Sequence, residues 1–385
     1  MKKKILFVSD SLRTGGIQKS LIDLLNKFNY EKYDVFLFLF NDNNIDLVNK
    51  NVKIIKSNTI FRIIGMTSKE ARTKGIFIYF IRLVLSILCK IFSSQVIYNI
   101  LYLFINFEDK YDLVISYSNN VNNRSLYYGY NKLVLDKIKA NSKISWVHID
   151  YINKQEKKWE LKEFNKFNKI VLVSNNCKIN FDKVYPSLKD KTVVVYNYLD
   201  KNSILKKSTE FIPNIDKENS ILSIGRLEKN KNFEMQLRIA KKLTQSNLNF
   251  KWYIIGEGNN KDKLLELSKL YGIEDNIKFL GSKNNVYPYI KNSKILISTS
   301  LSESFGLTIA EAQILNTPVI ALNYPSLNEI IDDNGIICNS ELEMYNNILN
   351  LFNNEKEYSL LKEKTVYKIK DDIIDKQLES ILKGI

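Results

Sequence analysis

The sequence predicts an α/β protein of two doubly wound domains, each a parallel sheet with helices on both faces. Three observations carry that expectation. The 385 residues exceed the ~250–300 at which a single core stops growing. Short runs rich in β-branched and aromatic residues read as nearly continuous apolar segments, as strands buried on both faces must. Longer segments with apolar residues at helical spacing separate most of these runs, which gives βαβ order rather than hairpins.

The first domain is expected over residues 1–198. Its strands are Lys4–Ser9, Asp34–Phe40, Val52–Lys56, Asp112–Ser116, Ile144–His148, Ile170–Ser174 and Thr192–Tyr196. Between the first two, a Gly15-Gly16 loop leads into Ile17, Leu21, Leu24, Leu25 and Phe28 at helical spacing. The second domain is expected over 199–370, with the boundary in the polar stretch Asn197–Ile215. Its strands are Ile221–Ile224, Phe250–Ile255, Ile277–Leu280, Ile295–Ser298, Pro318–Leu322 and Gly335–Cys338. Helices are expected near Phe233–Thr244, Lys261–Leu270, Gly306–Leu315 and Leu342–Phe352. A last helical segment, Lys356–Leu382, is expected to return through 371–385 to the first domain.

Composition narrows the class. Lys and Arg number 57 against 42 Asp and Glu, a net charge of +15 that favours an anionic partner. The positive residues are spread along the chain and accompany no nucleic-acid-binding module, so nucleic acid is not expected as a partner. Cys89, Cys177 and Cys338 lie far apart, which argues against a disulfide scaffold or a structural zinc site. The apolar run after the basic start ends at Ser9-Asp10, too short for a secretory core, so a buried strand and a cytoplasmic protein are expected.

The segment 60–107 stands apart. Within it Arg62, Lys69, Arg72, Lys74, Arg82 and Lys90 face a single acidic residue, Glu70. Apolar stretches lie between them, but Arg82 and Lys90 interrupt any run of the ~20 residues that a spanning helix needs. Two readings are open: an amphipathic surface element meeting anionic lipid through these six cations, or a pair of core helices with solvated charges.

Several residues could carry chemistry. Glycine is scarce, 13 of 385, so each one at a strand-to-helix junction invites a reason. Gly15-Gly16 would let a phosphate or sugar approach the backbone at a helix start, although a plain turn also explains it. It departs from G-x-G-x-x-G, so no nicotinamide or flavin site is supported. The run Glu303-Ser304-Phe305-Gly306-Leu307-Thr308-Ile309-Ala310-Glu311 follows a strand and enters a helix, whose first amides form an anion site. Glu303 and Glu311 would then bracket a diphosphate and accept hydroxyls from the groups at its ends; the plainer alternative is a dipole-complementing and a solvated glutamate. Gly225-Arg226 ends another strand and Lys231 follows, placing two cations at the carboxyl edge of the second sheet. Arg forks onto a diphosphate and Lys adds a point charge. Gly256, in Gly256-Glu257-Gly258, would make room for a nucleotide, and Val286 would back its base. His148, the one histidine, ends a first-domain strand, so no histidine-based zinc cluster or G-x-S-x-G hydrolase site is expected. There is no Asp-x-Asp pair.

In their order and spacing these residues resemble the family 4 retaining glycosyltransferases of the GT-B fold, two Rossmann-like domains facing across a cleft. The resemblance spans the chain and is most specific in Gly225-Arg226…Lys231, Gly256-Glu257-Gly258 and Glu303-x7-Glu311. Val195-Tyr196-Asn197-Tyr198-Leu199-Asp200 resembles the family's hinge segment, with Tyr198 in place of a glycine. The resemblance implies that Arg226 and Lys231 hold the donor diphosphate, that Glu303 contacts the donor sugar and Glu311 the ribose. The amides of Phe305, Gly306 and Leu307 would complete the cradle, Gly15 and Gly16 would approach the donor, and His148 would line the reacting sugar. It further implies retention of anomeric configuration and no metal cofactor. The donor is expected to be a UDP-sugar and the acceptor a glycan, lipid-linked at the inner membrane face, in bacterial surface polysaccharide synthesis. The competing readings are a nucleotide-sugar epimerase, which would need further acid-base carboxylates, and a catalytically silent partner subunit, which would not need Arg226, Lys231, Glu303 and Glu311 together.

Overall fold

In a computed structural model that describes residues 2–13, 15–42, 44–119 and 122–383, the chain divides into two units. One comprises Met1–Tyr198 with Asp371–Ile385, the other Leu199–Lys370. In the first, β1 (Lys3–Ser9), β2 (Tyr33–Leu39), β3 (Lys53–Ile55), β4 (Lys110–Ser116), β5 (Lys139–Val147), β6 (Lys169–Leu172) and β7 (Thr192–Val194) pair in the order β3-β2-β1-β4-β5-β6-β7. Every pairing is parallel. Ile5, Leu6, Phe7 and Val8 of central β1 have no solvent exposure, as a strand covered on both faces requires. All seven expected strands are present. β5 starts earlier than its apolar run, because Lys139–Ser142 are held extended by pairing with β4 despite their polarity.

The helices of this unit are α1 (Gly16–Lys27), α2 (Thr59–Gly65), α3 (Ser68–Lys74), α4 (Ile76–Phe92), α5 (Ser94–Leu101), α6 (Gly129–Lys137), α7 (Lys158–Phe164) and α8 (Asn175–Val184). A capping box starts α3: the Thr67 side chain accepts from the Glu70 amide and the Glu70 carboxylate accepts from the Thr67 amide. The segment expected to be membrane-facing supplies α2 to α5, and it corrects one expectation. Arg82 does not face outward: it is 8% exposed and donates to Met66 O at 2.7 Å, Ser68 Oγ at 2.9 Å and the Tyr127 hydroxyl at 3.0 Å. A buried guanidinium is tolerable only with such partners. Arg62 is half-buried and pairs with Asp42 at 2.9 Å, whereas Lys69, Arg72, Lys74 and Lys90 are exposed.

The second unit holds β8 (Ser220–Ile224), β9 (Lys251–Ile255), β10 (Ile277–Gly281), β11 (Ile295–Ser298), β12 (Val319–Leu322) and β13 (Ile336–Cys338). These are again all parallel, in the order β10-β9-β8-β11-β12-β13. Its helices are α9 (Lys201–Lys207), α10 (Phe233–Gln245), α11 (Lys261–Leu270), α12 (Tyr287–Lys291), α13 (Leu307–Ile314), α14 (Glu341–Asn353) and α15 (Glu355–Lys364). The expected long segment Lys356–Leu382 is two helices, α15 and α16 (Asp371–Leu382). Two side-chain amides stop the first: Asn316 donates to Thr365 O at 3.1 Å and Asn334 to Val366 O at 2.8 Å. α16 packs on the first unit, burying Ile374, Leu378 and Ile381 at helical spacing. Lys27 pairs with Asp375 at 2.8 Å, and the Tyr196 amide donates to Gln377 Oε1 at 2.9 Å.

At the centre of the second sheet the buried Trp252 indole donates to Ser223 Oγ at 3.0 Å, and Ser223 donates to Ile297 O at 2.9 Å. One hydroxyl thereby joins β9, β8 and β11. Ser223→Ala is expected to leave the buried indole N–H without its acceptor, at a cost of about 1–3 kcal/mol. The check is a lowered urea midpoint for the second unit, followed by Trp252 fluorescence.

Candidate functional site

Both sheets run outward in two directions from a central pair, and in such folds the crevice lies beyond the carboxyl ends of that pair. In the second unit the pair is β8 and β11. Gly225 and Arg226 leave β8, and the loop to Gly306 leaves β11. The two loops are stitched together. Thr299 Oγ1 donates to Lys231 O at 2.9 Å, Leu301 N to Asn230 O at 2.9 Å, and Asn230 Nδ2 to Ser302 O at 2.8 Å. Lys231 and Glu303 form an ion pair across the junction, and Ser300 Oγ donates to the same Glu303 oxygen at 2.7 Å. The aliphatic part of Lys231 lies over Gly225, where a Cβ would stand 3.5 Å from it. Arg226 points into solvent, its side chain 75% exposed, and pairs with Glu228 at 2.8 Å. The expected pair of cations therefore divides into a held lysine and an outlying arginine.

Gly306 begins α13 in the left-handed region, φ 91°, and no side chain caps the helix. A Cβ at Gly306 would come within 2.8 Å of the Tyr324 hydroxyl, so glycine is required twice over. Burial and the Glu303 charge both push the Tyr324 phenol well above its ordinary range, so it stays protonated. Phe305 is buried beneath the loop, while Ser304 and Leu307 are partly exposed beside it. Glu311 is 4% exposed and accepts from the Tyr287 hydroxyl at 3.3 Å, which removes the solvated-helix alternative for it. Val286, half-buried, is the residue from which α12 starts, directly before Tyr287. Gly256, φ 151°, follows β9; a Cβ there would stand 1.8 Å from Gly225 O, so close backbone approach fixes this glycine.

In the first unit the central pair is β1 and β4. Gly15 and Gly16 are exposed at the start of α1, in extended and helical conformations, and a Cβ at Gly15 would stand 2.5 Å from Gln18 Oε1. Beside them Asp10 gathers Arg13 at 3.1 Å, Gln18 at 3.2 Å and Ser118 Oγ at 3.2 Å. His148 follows β5. Its amide donates to Asn119 Oδ1 at 2.8 Å, and its ring is 8% exposed against Tyr117 and Trp146, 4.5 and 6.4 Å between centroids. Burial pushes the imidazole down to about 3, against the weaker opposing effect of its hydrogen bond to the Tyr117 backbone. It is thus a neutral ring at pH 7. Asp10, Ser118, Ser300 and Tyr287 were not singled out in the sequence; a polar residue directly after a predicted central strand was the available signal for Asp10.

Residues 206–366, nearly all of the second unit, match the family model of the group 1 glycosyl transferases. Over those residues the second unit is similar to the group 1 glycosyl transferases. An uncharacterised glycosyltransferase of Methanocaldococcus jannaschii is 33% identical over 167 residues, covering 42% of this chain and 41% of that protein. The N-acetylgalactosamine-N,N'-diacetylbacillosaminyl-diphospho-undecaprenol 4-alpha-N-acetylgalactosaminyltransferase of Campylobacter jejuni is 28% identical over 206 residues, 51% of this chain and 55% of the relative. The chain thus spans about half the length of the curated relatives it matches. Anabaena HepE, solved with UDP and glucose, aligns over 100% of both chains with a TM-score of 0.67 at 16% identity. WaaG, a glycosyltransferase involved in lipopolysaccharide biosynthesis, aligns over 99% of this chain and 100% of its own with a TM-score of 0.64 at 14% identity. The fold is GT-B, and the residues that match the family model carry the Lys231–Glu303 pair and α13.

The buried imidazole makes a pH prediction. Below its ordinary 6.5 the unfolded chain takes a proton that the native ring refuses, so this contribution is complete above 6.5 and is lost as pH falls towards 3. The expected slope is about 1.4 kcal/mol per pH unit. Urea midpoints between pH 7.5 and 5.5 should fall less steeply in His148→Gln than in the parent chain.

Proposed function

We propose that this protein is a retaining glycosyltransferase that moves a sugar from a nucleoside diphosphate-sugar, a UDP-sugar, to a lipid-linked glycan in bacterial surface polysaccharide synthesis. The observation that carries the reading is the meeting of Lys231, Glu303 and the uncapped N-terminus of α13 at the β8/β11 edge. Backbone amides and a lysine there suit the two phosphates, with exposed Arg226 able to close on them. Glu303 would accept hydroxyls of the donor sugar, and Glu311, with Tyr287, those of the ribose. Ser304, Phe305, Gly306 and Leu307 would shape the cradle around Gly225 and Gly256, and Val286 would back the base. In the first unit Gly15, Gly16 and neutral His148 would serve the sugar and acceptor side.

In the reaction the bond from the anomeric carbon to the phosphate oxygen breaks, and its electron pair leaves with the nucleoside diphosphate. The acceptor oxygen bonds to that carbon on the same face, and its proton passes to the departing phosphate oxygen. Lys231, Arg226 and the α13 amides would stabilise the leaving charge, with no metal cofactor required. The donor class is supported by HepE's structure with UDP. The acceptor class is supported by the diphospho-undecaprenol named for the Campylobacter relative, and work at the inner membrane face is part of the proposal.

Titration with UDP in the presence of EDTA is expected to raise the melting temperature, in step with concentration over dissociation constant. Lys231→Ala and Arg226→Ala should weaken that shift, and Lys231→Ala should lower kcat/KM by ~100-fold or more. Absence of a shift with any of UDP, GDP or ADP at millimolar concentration would overturn the donor assignment. Release of an inverted product would overturn the stereochemistry.

A further inference from the structure

The helix α4 is turned apolar side outward, whereas α5 buries Ile97, Tyr98 and Leu101 and exposes Val96 and Ile100. On α4 the side chains of Arg82 and Cys89 are the buried ones, whereas Ile76, Phe77, Phe80, Ile87 and Ile91 stand in solvent, Ile76 at 87% and Phe77 at 72% exposure. Their spacing places them along one stripe at ~100° per residue. Past the break at Ser93, Val96 and Ile100 on α5 and then Leu103 and Phe104 are exposed as well. Among the described residues, twelve of the 25 exposed large apolar side chains fall within 29 consecutive positions, 76 to 104. Scattered exposed leucines need no explanation, but a contiguous apolar ridge does.

The ridge is not a core face waiting to turn inward. Its underside is bolted to the first unit by polar groups that have their partners. Arg82 holds the α2–α3 junction and Tyr127, the Tyr98 hydroxyl donates to Leu126 O, and the Tyr102 hydroxyl donates to Gly129 O. Rolling α4 to bury its apolar stripe would strip a guanidinium of its three acceptors. Cations line the flank. Arg72 lies over the Tyr79 ring of α4 at 4.6 Å and donates to its hydroxyl at 2.9 Å, Lys69 and Lys74 are exposed on the same helix as Arg72, and Lys90 stands on α4 itself. The one acidic residue of the segment, Glu70, is occupied by Arg13 and the Thr67 amide. No helix of the described residues is long and apolar enough to cross a membrane. The 17 residues of α4 span ~25 Å at 1.5 Å per residue.

We infer that this ridge inserts into one leaflet of a lipid bilayer: α4 and α5 lie in the interfacial plane with their apolar stripe among the acyl chains and the flanking cations against anionic headgroups. The apolar stripe carries the attachment and the cations add preference for anionic lipid. Buried Arg82 serves as an internal strut that makes no lipid contact. A second protein copy would cover an apolar stripe equally well but gives no role to a flank that is cationic and lacks a free carboxylate. The inference deepens the membrane-face location proposed above, and it uses none of the donor-site residues.

The test is co-flotation of the full chain with phosphatidylcholine vesicles, with and without phosphatidylglycerol, in the absence of any nucleotide. The expected result is binding to both vesicle types, stronger with the anionic lipid. Phe77→Ser with Phe80→Ser should lower the partition coefficient at least ~10-fold on both. Arg72→Ser with Lys74→Ser should lower it on the anionic vesicles alone. Phe80→Trp supplies a readout independent of those losses: its emission should shift to the blue with vesicles and be quenched by brominated acyl chains. Binding abolished by the two cation changes but indifferent to the two Phe changes would overturn insertion. So would emission from the Phe80→Trp chain that vesicles neither shift nor quench, or a lipid-free dimer that the Phe changes dissociate without any vesicle binding by the parent chain. Flotation of a chain that binds no nucleotide would leave this inference standing and remove the transferase reading instead.

Discussion

Parallel pairing throughout both sheets is the constraint from which the rest follows. A parallel strand must be followed by a crossover, so each strand ends at the same edge as its neighbours and every loop that leaves that edge is brought near the others. The central strands have no solvent face and spend their side chains on packing, Ile5–Val8 in one sheet and Ile295–Ile297 in the other. Chemistry is therefore relegated to the few residues just past a strand end. Asp10, His148 and Gly225-Arg226 directly follow strand ends, and the proposed donor loop Ser300–Gly306 leaves another. The polar thread from Trp252 through Ser223 to Ile297 serves the same end, because it holds β8 and β11 in register where their loops must meet.

Much of this was legible in the sequence. Continuous apolar runs marked all thirteen strands of the described residues, with boundary errors where polar residues are held extended by a neighbour, as at Lys139–Ser142. The break between α15 and α16 was hidden because its cause is remote: Asn316 and Asn334 take the carbonyls of Thr365 and Val366 from positions 49 and 32 residues away. For the site, spacing placed Glu303, Gly306 and Glu311 around one helix start, and glycine scarcity drew attention to Gly225 and Gly256. Partners were beyond its reach. Nothing local says that Tyr287 bonds Glu311 or that Tyr324 fills the place of a Gly306 side chain. His148 was placed at the right edge, but its burial between Tyr117 and Trp146 is a property of the packed sheet.

The segment from α2 to α5 shows how composition misleads when direction is unknown. Six cations among apolar residues suggested that the cations would face outward, as they usually do. Five keep substantial exposure, and Arg82 takes the interior position that an apolar residue would ordinarily hold. Periodicity alone could not reveal this, since α4 is apolar nearly all round and any of its faces could have been the inner one. The choice was made by three oxygen acceptors, on Met66, Ser68 and Tyr127, that no pattern within α4 announces.

The Lys231–Glu303 pair has a consequence for the order of events at the β8/β11 edge. A cation already matched to a carboxylate is not an open electrode; an arriving anion must win it by exchange. The carboxylate so released would keep its bond from Ser300 on that same oxygen, with one lone pair there opened to a new donor. Capture of negative charge at one end of the proposed donor would thus open a hydroxyl acceptor for the other end. A fragment carrying only one of the two features would leave the switch half thrown, which builds a preference for the intact molecule into a single ion pair.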